Sequence, residues 1–287
     1  MTLPSLFVSH GSPMLAITDT PARRFLAGLP TLLPRPHAIL VVSAHWETAV
    51  PMVNKVARNQ TIHDFFGFPR ALYDLHYPAP GDEALAEHIA TMLGQSGFAT
   101  SLETTRGLDH GAWVPLLLAW PEANIPTLQL SVQTSRGPDH AYQIGRALAP
   151  LRDEGVLIVG SGSFTHDLRR FRGQPVNAPE SADVTAFSDW MNTAIVHNDT
   201  TALLNYRKLA PYARDEHPTE EHLLPLFTAL GASDGPPQRL HNSTEHSILR
   251  MDAYSFGSIN TTQMARGRAH SASISHKCYL AAEPTRG

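Results

Sequence analysis

Cysteine occurs once in the 287 residues, at Cys278. A lone thiol excludes an intramolecular disulfide framework and any metal site built from several thiolates. Lysine is nearly as scarce, with three among 22 basic residues, and the arginines are scattered rather than gathered in a stripe. With a net charge of −4, this distribution points neither to nucleic acid nor to an anionic membrane surface. No apolar run approaches the roughly 18 residues of a membrane span, and no charged-then-apolar leader pattern opens the chain. The expectation is a soluble, cytoplasmic protein without nucleic-acid or membrane partners; its oligomeric state stays open.

What the chain has in excess is histidine. Sixteen residues are His, the side chain that titrates near neutrality and the commonest imidazole ligand of metals. The rest is ordinary for a globular protein, with 42% hydrophobic and 17% charged residues, and long enough to bury a large core. The informative question is which histidines cluster.

Three short apolar runs lead to a histidine. They are Leu6-Phe7-Val8-Ser9-His10, then Ile39-Leu40-Val41-Val42-Ser43-Ala44-His45, and Val156-Leu157-Ile158-Val159-Gly160-Ser161-Gly162 leading to His166. Such runs read as strands buried on both faces, and ligands of open α/β sheets bind beyond the carboxyl ends of such strands. Further strands are expected near 50–56, beside the central strand, and at 98–103, 125–132 and 248–256. Helical patterns fall between them at 21–32, 81–93, 114–120, 138–152, 181–197, 200–209 and 219–230, the first with Thr20 as N-cap and Pro21 at its first position. Alternating strands and helices imply an α/β fold, a single α/β/α sandwich around a mostly parallel central sheet. Residues 1–257 read as a single domain. Residues 258–287, rich in Ser, Thr, Ala and Arg without periodicity, read as a poorly structured tail.

Residues 57–81 look irregular and carry Phe65, Phe66, Phe68, Tyr73 and Tyr77. So long and aromatic a loop in a compact domain reads either as functional or as a small hydrophobic cluster of its own. The functional reading has residues 61–77 covering the site and touching the substrate.

Six histidines stand out by context: His10, His45, His110, His166, His217 and His222. Thr219 is placed to cap a helix with His222 in its first turn, while His217 supports from the preceding loop. His37, His63, His76, His88, His140, His197, His241 and His246 read as surface or packing residues, and His270 and His276 belong to the tail. Several imidazoles with no thiolate and open positions suit Zn, Fe, Cu or Ni.

Five motifs taken together carry a resemblance over about residues 3–257. Ser9-His10-Gly11-Ser12-Pro13, Ser43-Ala44-His45-Trp46, Asp109-His110-Gly111-Ala112-Trp113, Gly160-Ser161-Gly162 with His166, and Glu221-His222-Leu223-Leu224-Pro225-Leu226 resemble the class III extradiol ring-cleavage dioxygenases, a LigB-like superfamily, in its DOPA 4,5-dioxygenase type. The resemblance implies His10, His45 and His222 as metal ligands. It implies His166 as the acid/base that faces the metal and approaches it as a fourth ligand, and His110 as a histidine either behind the ligands or on the substrate side. Better-known members have a carboxylate where this chain has His222, and the DOPA type has His there. It further implies a DOPA-like catechol and O2 as substrates, a muconic semialdehyde as product, and Fe(II) as the active metal. Zn(II) would fill the same site without redox chemistry. A zinc-dependent hydrolase and a non-catalytic metal- or partner-binding protein on the same fold are the competing readings.

Overall fold

Alternation along the strands sets the layers. Leu6 and Val8, Ile39 and Val41, and Leu157 and Val159 pack into one hydrophobic cluster, whereas Phe7, Leu40, Val42, Val156 and Ile158 pack into another on the opposite face. Side chains two apart share a face of a strand, so a continuously apolar strand needs a cover on both sides. Each fully buried aliphatic side chain contributes roughly 1.5–3 kcal/mol.

The computed structural model describes residues 2–259, and the expected tail, 258–287, lies outside the described residues beyond Ile259. Its strands are β1 (Ser5–Ser9), β2 (Ala38–Glu47), β3 (Met52–Asn54), β4 (Ser101–Glu103), β5 (Thr127–Val132), β6 (Val156–Gly162), β7 (Pro237–His241), β8 (Thr244–Glu245), β9 (Leu249–Arg250) and β10 (Ala253–Phe256). Eight form one sheet in the order β4-β3-β5-β2-β6-β1-β10-β7, and β8 and β9 pair separately. The central run β5-β2-β6-β1 is parallel, while β10 and β7 add antiparallel strands at one edge. The expected α/β/α layering around a mostly parallel sheet is the observed one.

The helices are α1 (Pro21–Gly28), α2 (Arg70–Tyr73), α3 (Glu83–Gln95), α4 (His110–Ala119), α5 (Gly137–Leu148), α6 (Ala182–Val196), α7 (Thr200–Leu204), α8 (Tyr206–Leu209), α9 (Ala213–Glu216) and α10 (Leu224–Gly231). α1, α4 and the aromatic loop cover one face; α3, α5, α6 and α10 cover the other. Thr20 caps α1 as expected, accepting from the Arg23 N–H at 3.1 Å. Among the described residues no helix is long and apolar enough to cross a membrane.

Four expectations need correction. The strand near 50–56 does not pair with β2, whose two edges β5 and β6 already occupy; Met52–Asn54 lies beside β5 and β4 instead. The Asn54 side chain fixes that position by accepting from the Gln129 N–H at 2.6 Å. The helix placed at 114–120 begins at His110, because Asp109 caps it through the Ala112 N–H. The helix placed at 219–230 begins only at Leu224, with Pro225 in its first turn. Thr219 caps nothing there; its hydroxyl donates to the Glu221 carboxylate at 3.0 Å. The closing strand at 248–256 is two strands, β9 and β10, and β7 was not foreseen.

Candidate metal centre and its cavity

His10 is the first residue beyond β1, where its backbone N–H donates to the Gly162 carbonyl at 2.9 Å. His45 lies within β2 rather than at its end. The β2–β5 register shifts between Val42 and Glu47, and this irregularity frees His45 from the ladder. Its N–H donates instead to Ser43 Oγ at 3.2 Å, and its carbonyl accepts from Arg106 at 3.2 Å. His222 sits in the turn before α10, with its carbonyl accepting the Ser163 N–H at 2.9 Å. A Cβ at Gly162 would fall 2.0 Å from that carbonyl, so only glycine lets this turn rest on β6.

These three turns converge. His45 Nε2 lies 3.0 Å from His10 Nε2 and 3.3 Å from His222 Nε2. Such separations are those of nitrogens each about 2 Å from one ion. Gly111 opens the floor beneath them, since a Cβ there would meet Ser43 Oγ at 2.5 Å and His45 Cδ2 at 3.0 Å.

The surrounding hydrogen bonds assign the protons. Ser161 Oγ donates its single proton to the Gly111 carbonyl, so toward His10 Nδ1, 3.0 Å away, it can only accept. His222 Nδ1 faces a Glu221 carboxylate oxygen at 3.0 Å, which also only accepts. Asp64 Oδ2 faces His45 Nδ1 at 3.6 Å, an ion-pair distance rather than a hydrogen bond. At His10 and His222 the Nδ1 therefore carries the hydrogen and the Nε2 turns a lone pair inward, and the Asp64 carboxylate beside His45 Nδ1 favours the same arrangement there. Burial, then the neighbouring imidazoles, holds His10 and His222 well below the usual histidine range. Burial and then His110 push His45 down to about 4, although Asp109 and Asp64 oppose this. Three neutral imidazoles aiming lone pairs at one point repel one another, and a divalent cation between them removes that repulsion. The donor set fits a metal.

His166 stacks on His222, with ring centroids 3.4 Å apart and planes 13° from parallel. Its backbone N–H donates to the Glu216 carbonyl at 2.8 Å. His166, Glu221 and His222 form a second group of close ligand atoms. Burial pushes His166 to about 4, leaving it neutral at pH 7. His217 stands apart from the cluster. Its Nε2 donates to the Phe164 carbonyl at 3.0 Å, bracing the loop that carries His166, while its Nδ1 is buried without a partner.

His110 opens α4 with its ring centroid 4.0 Å from that of His45. Its backbone N–H donates to Asp64 Oδ1 at 2.9 Å, and its Nδ1 lies 3.0 Å from the same oxygen at an angle too poor for a good hydrogen bond. Burial pushes the Asp64 carboxyl up, but His110 and His45 outweigh it and hold the group at about 2. Asp64 stands in none of the sequence motifs, and Asp109 stands in one only as the neighbour of His110, without a role of its own. Asp109, fully buried, accepts from Ser43, Gln129 and Arg106 and so ties β2, β5 and α4 together under the site. Its place before a helix was a legible cap signal; Asp64, in an aperiodic loop, gave none.

A cavity of about 460 Å³ opens above His10, His45, His110 and His166. The aromatic loop supplies Phe65 and Phe68 to its wall, with Tyr73 and Trp113 behind Phe65, while Phe66 points to solvent. A second depression, between α3 and α5, holds none of the candidate residues.

Comparison with known proteins agrees with this architecture. The family model described as the catalytic LigB subunit of aromatic ring-opening dioxygenase matches residues 4–257. The 4,5-DOPA dioxygenase extradiol of Beta vulgaris is 45% identical over 261 residues, covering 88% of this chain and 96% of that protein. The protein of the same name from Escherichia coli K12 is 40% identical over 238 residues, covering 81% and 86%. The chain belongs to the LigB family. It is an extradiol ring-cleavage dioxygenase, an oxidoreductase. A crystal structure of an uncharacterised Escherichia coli K12 protein shares the fold, with a TM-score of 0.74 and 33% identity over 89% of this chain and all of that one. The family match spans every histidine of the cluster, together with Asp64 and Asp109.

Proposed function

We propose that the chain, through residues 1–257, opens the ring of a catechol beside its diol with O2 to give a muconic semialdehyde. In this reading His10, His45 and His222 hold Fe(II), and His166 and His110 act on the substrate. The observation that carries it is the convergence of three Nε2 lone pairs at the floor of an apolar cavity. A ferrous ion held there would supply the redox chemistry that lets O2 react with a catechol; Zn(II) fits the same donors but has no redox chemistry.

The chain's own groups do the rest. His166, neutral and facing the cavity, takes the proton of a catechol hydroxyl and returns it to the opened ring. His110, held against the ionised Asp64, hydrogen-bonds a substrate oxygen. Phe65 and Phe68 flank the ring and keep water from it. The test is anaerobic loading with Fe(II), then oxygen uptake and the appearance of a yellow product with a panel of catechols. The iron-loaded protein is expected to consume O2 and the zinc-loaded protein to be inert. A protein that binds iron stoichiometrically yet consumes no O2 with any catechol overturns the reading.

A further inference from the structure

His246 reads in the sequence as a surface or packing residue, yet its side chain lines the same cavity as His10, His45 and His166. It sits in the turn between β8 and β9, where His246 and Ser247 have φ of 55° and 70°. Two successive non-glycine residues in the left-handed region are uncommon and persist only where the surroundings hold them. Here both are held. The His246 N–H donates to the Val176 carbonyl at 3.0 Å, and the Ser247 carbonyl accepts from the Ser181 N–H at 3.1 Å. The ring is fixed as well. It packs edge-on against Phe171, with centroids 5.2 Å apart, and its Nδ1 lies 2.8 Å from the Gln174 carbonyl.

That carbonyl decides the tautomer. A carbonyl only accepts, so Nδ1 carries the hydrogen and the neutral ring keeps a lone pair at Nε2. Among the described residues no donor is bonded to that nitrogen. Phe171, 47% exposed, and Phe68 add aromatic rings to the same cavity. A free lone pair beside aromatic rings suits a cation that also donates, because an ammonium hydrogen-bonds the nitrogen and is attracted to the rings. The same lone pair gives nothing to a methyl group and repels a carboxylate. A carboxylate has other partners here. Ser12 Oγ, on the cavity wall, accepts from the Met14 N–H at 3.3 Å and keeps its own proton to donate. Arg172, next to Phe171, donates among the described residues only to the Arg169 and Phe171 carbonyls, so no carboxylate cancels its charge. Roughly 150 Å³ is enough for a benzene-sized ring, and the 460 Å³ of the cavity leaves room for a substituent.

Resting on the catechol reading, we propose that His246 is a specificity-determining residue, its Nε2 accepting a hydrogen bond from an ammonium on the substrate's substituent. A hydrogen bond to a charged group is worth about tenfold or more in affinity. Burying a methyl in the place of the ammonium gains only about fourfold. The sign of the preference therefore tells the two settings apart.

Binding tests this apart from turnover. The zinc-loaded full chain is titrated under argon with two matched pairs, dopamine against 4-propylcatechol and L-DOPA against 3,4-dihydroxyphenylpropionate. Within each pair an ammonium replaces a methyl or a hydrogen. The ammonium-bearing member is expected to bind about tenfold tighter. His246→Asn suits the left-handed backbone, and His246→Phe keeps a ring against Phe171. In both variants the preference is expected to fall to about twofold or less, and because each pair is compared within one protein, a variant weakened as a whole still yields the ratio. Equal binding within the pairs in the wild-type protein, or a tenfold preference that survives in either variant, overturns the proposal. Failure of the iron-loaded enzyme to consume O2 with any of the four overturns ring cleavage instead and leaves the binding ratios to decide the role of His246. Binding of none overturns both.

Discussion

Pro115 has no N–H to offer the carbonyl four residues back, and that missing donor reaches the metal centre. Within α4 the Gly111 carbonyl is left free of its helical bond and accepts the Ser161 hydroxyl instead. Because the hydroxyl proton is spent there, Ser161 accepts from His10 Nδ1 and directs the His10 lone pair to the cluster. Ser161→Ala is expected to weaken metal binding about 10–100-fold, the usual effect of losing a group that orients a ligand. Competition with a chelator of known affinity measures it, and an unchanged affinity refutes the relay. His166 and His45 separate in the same assay. His45→Ala removes one of three converging nitrogens and is expected to strip the metal. His166→Ala is expected to keep the metal and lose turnover by about 10²–10⁴-fold, as for a positioned acid/base. Elemental analysis beside oxygen uptake decides, and a metal-free His166→Ala would make His166 a ligand first.

At the scale of elements, the site depends on how closely the turn before α10 approaches β6. Gly160 and Gly162 leave no Cβ in the way of the Pro225 and His222 carbonyls, 2.1 and 2.0 Å from where one would stand. Gly162→Ala must push that turn outward and carry His222 with it. The expected result is a loss of about 1–3 kcal/mol in stability, with weakened metal binding; Gly28→Ala, which meets nothing within 4 Å, is the control that should keep both. Wild-type stability and affinity in Gly162→Ala would show that the close approach is unimportant. This contact also marks where sequence reading stops. The parallel core strands and His10, His45 and His166 were legible because buried strands read as unbroken apolar runs ending at one rim. His222 was legible as a residue but not as a conformation. Thr219 and the acidic residues after it imitate a helix start, while residues 219–223 run as bends and turns, with the His222 carbonyl accepting from the Ser163 N–H. Asn54, Asp64 and Asp109 act across long sequence separations, and no local pattern announces such partners.

Taken whole, the metal-free molecule concentrates neutral imidazoles, and that sets its response to acid. Burial holds His45, His166, His217 and His241 at about 4, and His10 and His222 well below the usual range. Above about pH 6.5 these groups are neutral whether the chain is folded or not, and they exert no pull. Below it the unfolded chain takes up protons that the folded chain refuses, so stability falls as pH drops from about 6.5 toward 4, by up to about 1.4 kcal/mol per pH unit for each imidazole. Glu216 acts in the opposite sense. Burial raises its carboxyl to about 7 despite Arg170 at 3.0 Å, and one of its oxygens is buried without a partner. The folded chain therefore keeps a proton there that the unfolded chain releases between about pH 4.5 and 7, and this contribution is lost as pH rises through 7. Burial raises the Glu245 and Asp252 carboxyls as well, but the imidazoles outnumber these three carboxyls, so the net expectation is a steep loss of stability on acidification below about pH 6.5. Urea midpoints across pH 4.5–8 measure it. Glu216→Gln should be more stable than wild type at pH 8 and should lose stability more steeply below pH 7, since one of the opposing groups is gone. Metal should raise the midpoints most near pH 7 and progressively less toward pH 5, because protons compete for the same nitrogens. A metal-free protein equally stable at pH 7 and pH 4.5 would mean that these imidazoles are solvated or paired in the folded chain, and the neutral, inward-facing cluster would fall with it.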